Sequence, residues 1–364
     1  MAVSNGRKVF ALGVEVDGEG YHPAAWRRAT HEPDRFLTGR TVQARVAAAE
    51  NAGFTLATFD DSILAPSDQP AGRIDAVTRA SFVAATTSTL GLVPTVATTY
   101  AEPFHTSSQL ATLDYTSRGR GGWIATTIAD PAAATTWGRP ARTAEAELAQ
   151  EHRDSIEVAR RLWDSWEDDA VVRDYATGKF LDRDKLHYVD FVGESFSVKG
   201  PAIVPRPPQG QVVVFSDGAA EPGQADVALV SGVDLAQTLA AADRAHESGA
   251  LVFVELDVAL DLPLVSAAQR LADLDRYATA KHAARLRFSG KSKDLVALLT
   301  ELAHHVDGVR LHLAVIDEDL PVLAHYVLPA LFRSGLAHRP VPGSTLRANL
   351  GLARPDNRYA KDQH

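Results

Sequence analysis

Short hydroxyl and carboxylate side chains recur in this 364-residue chain directly after apolar runs of strand length. Asp60 and Asp61 follow residues 55–59, and Thr98, Thr99 and Tyr100 follow 90–97. Thr126 and Thr127 close the run 123–128, and Ser216, Asp217 and Gly218 follow 212–215. If the runs are parallel strands, their ends bring hydroxyls, backbone amides and a few carboxylates to one rim. That set suits a polar planar ligand, whereas a metal hydrolase would want several His and carboxylates converging. Thr also favours strands and Asp favours turns and caps, so the pattern admits a purely structural reading.

Other chemistries are excluded more firmly. The chain has no cysteine, which removes disulfides, thiolate-bound zinc or iron–sulfur clusters, and a cysteine nucleophile. With 37 basic and 46 acidic side chains the formal charge is −9, against a nucleic-acid partner. Ser289–Ser292 reads SGKS, yet the earlier glycine of a phosphate-binding loop falls on Arg285. No G-x-S-x-G elbow occurs, and His304 and His305 point to different helix faces, so no metal site is expected. No stretch reaches the roughly 18 apolar residues of a membrane span, and the N-terminus reads as lacking a signal peptide. The expectation is a cytoplasmic protein.

The elements that must position the rim alternate. Strand-length runs at 9–16, 55–59, 90–97, 123–128, 212–215, 225–230, 251–256 and 309–313 alternate with helical patterns over 42–52, 74–88, 104–117, 144–168, 235–247, 295–305 and 320–334. A βα series approaching eight predicts an α/β fold closed as a (β/α)8 TIM barrel, with a doubly wound open sheet as the alternative. One domain over 1–364 is expected, with an insertion at 129–142 and a Gly- and Pro-rich excursion at 173–211 that reads as a lid or wall.

Longer strings carry a family resemblance. GLVPTVATTYAEPFHTSSQLATLD from Gly91 to Asp114, SRGRGGW from Ser117 to Trp123, LWDSWEDDA from Leu162 to Ala170 and VKGPAIVPRPPQG from Val198 to Gly210 resemble the bacterial-luciferase-like monooxygenases, in the nitrilotriacetate monooxygenase-type branch. The segment from Val327 to Leu352 is similar to that branch's closing segment. The resemblance implies a luciferase-like barrel, with insertions on one face, that takes reduced FMN from a separate NAD(P)H:flavin reductase and uses O2 to oxidise a small organic substrate. The cofactor then does the hard step, and no protein thiol or metal is needed. It also implies that Asp61 lies near the flavin ring, that Thr98 and Thr99 are the hydroxyl residues after the third strand, and that Gly218, Ala219 and Ala220 form the phosphate loop. His22, beside Trp26 in the first loop, becomes a candidate proton donor or acceptor. Trp26 and Trp123 become candidate walls of the substrate pocket, although large aromatics more often pack in cores. A homodimer is expected.

The chain departs from the family pattern in polar contacts. Ile124 follows Trp123 where the family usually has Asn, and Ala220 stands where a Ser hydroxyl is normal. Ala149 replaces a Tyr, Ser108 replaces an Arg, and the helix behind the phosphate loop is shortened to residues 221–224. These differences leave open a deazaflavin user and a non-catalytic relative with weak or no flavin binding. A further alternative is a barrel glycoside hydrolase pairing Asp61 with Glu255 or Asp257.

Overall fold

The computed structural model describes residues 10–64, 72–217, 222–280 and 284–360. Eight parallel strands close on themselves: β1 (Ala11–Glu15), β2 (Leu56–Phe59), β3 (Gly91–Ala97), β4 (Gly122–Thr126), β5 (Val213–Asp217), β6 (Val227–Val230), β7 (Leu251–Leu260) and β8 (Gly308–Leu313). Each pairs with the next, and β8 returns to β1, so the expected barrel is present. A ninth strand, Leu286–Gly290, absent from the sequence reading, pairs with the far half of β7, where β6 has already ended.

Helices α1 (Arg40–Ala52), α2 (Ala76–Ala84), α3 (Pro103–Thr116), α4 (Pro131–Trp137) and α5 (Glu145–Asp164) follow the first four strands. Helices α6 (Leu235–His246), α7 (Ala267–Asp275), α8 (Ser292–Leu302), α9 (Ile316–Val322), α10 (Leu328–Arg333) and α11 (Leu346–Asn349) complete the set. Helix α4 occupies the insertion 129–142. Between β5 and β6 the described residues 222–226 form turns and no helix, as the shortened segment suggested. Among the described residues, no helix is long and apolar enough to cross a membrane.

Alternation along the strands sorts the core. On β5, Val213 and Phe215 face the barrel interior, while Val214 and the preceding Val212 face α5 with Ile156, Ala159 and Trp163. The segment 173–211 packs on the flank of the molecule, placing Val189, Val198 and Ala202 against Val158 and Leu162 of α5.

The barrel floor is closed by α11. Leu346 enters beneath Gly91 and Gly122, where an added Cβ would stand 2.6 Å and 3.1 Å from its methyl carbons, so glycine there makes room for the plug. Thr345 caps the short helix by accepting from the Ala348 N–H. Leu346→Ala should leave a cavity under the barrel and lower unfolding free energy by about 2–5 kcal/mol in urea titrations. A loss below about 1 kcal/mol would show that the plug is dispensable.

Candidate active site

Above the apolar floor the interior turns polar. Arg310 on β8 is buried and reaches Glu15 Oε2 on β1 at 2.5 Å, Glu255 Oε1 on β7 at 2.6 Å and Thr58 Oγ1 on β2 at 2.9 Å. Glu15 is fully engaged: Oε2 also accepts from the Thr58 hydroxyl, while Oε1 accepts from the N–H groups of Asp17 and Asp60. Burial alone would raise the pKa of Glu255, but Arg310, followed by His312, holds it well below the usual carboxylate range. A carboxylate so held cannot act as a proton donor near neutrality. Asp257 is similarly paired with Arg285 at 2.6 Å. Glu255 therefore does not offer the raised-pKa acid that a glycosidase pair needs, and Asp257 is taken up by its arginine.

At the C-terminal ends of the strands lies a cavity of about 1010 Å³, lined by Asp60, Asp61, Thr95, Thr99, Tyr100, Thr126, Asp217 and, from the 129–142 insertion, Trp137 and Arg139. This is the face where a barrel's strand-end loops build its site. A second, polar cavity of about 350 Å³ adjoins it, sharing Asp60 and Arg73 and reaching Arg310 and His312. Tyr100 is buried with φ of 64°, a left-handed backbone uncommon outside glycine, and its hydroxyl accepts from the Arg142 N–H at 2.8 Å.

The predicted residues divide. Asp61 and Thr99 line the larger cavity. The Asp61 carboxylate accepts from the N–H groups of Ser62 and Ala76, tying the loop after β2 to the start of α2, and burial pushes its pKa upward. Thr99 Oγ1 accepts from the Ile128 N–H. Thr98 lies behind the rim, its hydroxyl 3.0 Å from the Thr126 carbonyl and 3.1 Å from His152 Nδ1. Gly218, Ala219 and Ala220 lie outside the described residues.

His22 lies away from the cavity lining. It is buried, with Nδ1 accepting from the Ala24 N–H and Nε2 therefore carrying the proton toward Asp275, 3.2 Å away. Trp26 is exposed beside Arg27, and Trp123 points outward from β4 into the layer against α3 and α5, its Nε1 donating to the Val96 carbonyl. Period-two alternation makes the next residue, Ile124, the inward one, packed with Val93 and Phe215. Ser108 donates back to the Phe104 carbonyl of its own helix, and Ala149 is half-buried on α5.

Sequence reasoning passed over His152, Thr95 and the Arg310 cluster. His152 bridges Thr98 and Ser216, with Nε2 2.9 Å from Ser216 Oγ, and so links β3, α5 and β5 behind the rim. Its signal was present: His152, Ile156, Ala159 and Trp163 recur at helical spacing on one buried face. Thr95 continues the inward series of β3 after Val93. For Arg310 no local signal exists, since its partners come from three other strands.

Burial lowers the His152 pKa to about 4, with Arg153 adding to the effect, so the ring is neutral at pH 7. The unfolded chain takes up this proton near 6.5 and the folded chain only near 4. Acidification through that window therefore favours unfolding, by about 2 kcal/mol between pH 7 and pH 5. Buried Asp114, raised to about 6, acts in the opposite direction over part of the window, so wild type must be compared with a variant. The pH-dependent loss should shrink by about that amount in His152→Gln, read as urea midpoints at the two pH values. An identical pH response in both proteins would refute a neutral buried His152.

Comparison with known proteins agrees with this geometry. The family model described as luciferase-like monooxygenase matches residues 20–308. The chain is 27% identical to N-acetyl-S-(2-succino)cysteine monooxygenase of Bacillus subtilis, over 98% of this chain and 99% of that protein. It is 26% identical to nitrilotriacetate monooxygenase component A of Aminobacter aminovorans, over 97% and 99%. The structure of a long-chain alkane monooxygenase superposes with a TM-score of 0.82 at 20% identity, covering 98% of this chain and all of that one, which is a likeness of fold.

Proposed function

The chain belongs to the luciferase-like monooxygenase family and is a flavin-dependent enzyme, and on that premise we propose that the mouth cavity binds reduced FMN and oxidises a small organic substrate with O2. The flavin comes from a separate NAD(P)H:flavin reductase. The observation that carries the placement is the cavity of about 1010 Å³ at the strand ends of the closed barrel, large enough for a flavin and a small partner.

The residues present fit the group. Thr99 and Thr126 offer hydroxyls to the polar edge of a planar ring, and Ile128 and Trp137 offer apolar surface to its faces. Arg73 and Arg139 line the same cavity and supply positive charge for a phosphate, a role that the loop at Gly218, Ala219 and Ala220 shares in this reading. When bound, reduced FMN supplies the electrons that activate O2. The chain's own part is to orient and enclose: Asp61 fixes the loop after β2, Thr98 and His152 brace the rim from behind, and the 129–142 insertion with Trp137 walls off water. The protein acts as a cytoplasmic homodimer in this reading, which light scattering on the purified chain tests for assembly.

Titration of the purified protein with FMN, riboflavin and a deazaflavin, followed by fluorescence, should show saturable FMN binding. Arg139→Gln should weaken FMN by about tenfold or more, the scale of one charge-assisted contact, while leaving riboflavin unchanged. Preference for the deazaflavin would reassign the cofactor. Binding of none of the three would sink the flavin reading and favour a non-catalytic relative.

A further inference from the structure

Five carboxylates line the mouth cavity among the described residues, and three of them serve the backbone. Asp61 accepts from Ser62 and Ala76, Asp75 from the N–H and hydroxyl of Thr78, and Glu102 from the N–H groups of Phe104 and His105. Asp60 and Asp217 cap no described helix. Each carboxylate meets a local backbone N–H, of Asp61 and of Asp217 itself, and otherwise faces the cavity.

A second observation points to a ligand at the same place. Thr95 is 6% exposed, faces into the barrel and lines the cavity, yet its Oγ1 has no hydrogen-bond partner. A buried hydroxyl left unpaired in a native fold calls for an explanation. The β2–β3 register pairs Phe59 with Pro94, which sets Asp60 beside Thr95. The β4–β5 register pairs Ala125 with Ser216, which sets Asp217 beside Thr126 one level nearer the mouth. The three groups thus line one cavity from β2, β3 and β5, Asp60 and Thr95 at one level and Asp217 nearer the mouth.

We infer that Asp60 and Asp217 recognise a cationic nitrogen, with the Thr95 hydroxyl accepting a further N–H, so that the substrate of this cavity is a small amine-bearing molecule. The inference rests on the monooxygenase reading for the word substrate, but the recognition itself is a property of these three side chains. Electrostatics behind the pair favour it. Burial raises the pKa of both carboxylates, and Glu15 behind Asp60 and Glu255 behind Asp217 raise them further, against the lowering effect of Arg310 on both and of Arg73 on Asp60. Arg310 is already shared between Glu15 and Glu255, and Arg73, which also acts on Asp60, is assigned to the phosphate end, so Asp217 above all is left without a cation of its own and a cationic ligand group would complement the pair. An anionic substrate would meet both carboxylates at like charge.

The test compares three probes of one size, hexylammonium, hexanol and hexanoate, by calorimetric titration of the full chain with and without FMN. Wild type should bind hexylammonium about tenfold or more tightly than either other probe, the scale of one charge-assisted pairing. Asp60→Asn together with Asp217→Asn should abolish that preference. Should the double variant fail to fold, Thr95→Val offers a milder change and should reduce the preference by about threefold, the worth of one neutral hydrogen bond. Equal binding of the three probes, absence of hexylammonium binding, tighter hexanoate, or a preference that survives these substitutions would overturn the inference. Failure of FMN to bind in the separate titration would instead remove the flavin reading and leave this selectivity measurable.

Discussion

Arg310 sits at the level where the barrel changes from a packed core to a site. Its guanidinium joins β8 to Glu15 on β1, Thr58 on β2 and Glu255 on β7. Taking three charges out of water is costly, and the arrangement is stable only because the hydrogen-bonding capacity is used: Glu15 alone accepts from Arg310, Thr58, Asp17 and Asp60. Through the Asp60 N–H this cluster also fixes the chain where it leaves β2 and enters the cavity. Arg79 holds the same residue from the other side, donating to the Asp60 carbonyl at 2.5 Å. The rim geometry thus follows from a buried ionic layer beneath it.

That layer explains which acids are available for chemistry. Glu255 and Asp257, expected at a strand end but lying within β7, which runs on to Leu260, are spent on Arg310 and Arg285. Asp61, Asp75 and Glu102 are spent on backbone donors. Asp60 and Asp217 remain open to the cavity. Two polar departures from the family pattern have local structural explanations, since Ile124 joins the apolar interior and Ser108 bonds its own helix, while the short β5–β6 connection carries no helix among its described residues. Positive charge at the cavity comes instead from side chains, Arg73 and Arg139.

The legibility of the fold has a physical basis. Strand and helix periods are local, so all eight barrel strands could be read from runs such as 90–97 and 251–256, and eight βα repeats have few ways to close. The strand at Leu286–Gly290 escaped because its pattern is mixed, with Arg287 and Ser289 exposed, and its partner is the overlong end of β7. Helix α11 escaped because four residues carry no period. On the rim, Asp61 and Thr99 were found where strand ends predicted them. The assignment of Trp123 to the pocket met the alternation of β4, in which one residue's shift exchanges the two faces of a strand.

The sequence by itself determined the barrel, the family and the absence of thiol chemistry, because periodicity, long matching strings and composition need no knowledge of distant contacts. It also marked the strand ends as the candidate site. What only the tertiary structure decided is which side chains at those ends are free to act. Whether a carboxylate is a cap, half of a buried ion pair or a group open to a ligand depends on donors brought from other strands, as Arg310 is brought to Glu15 from 295 residues away. No local pattern encodes that pairing.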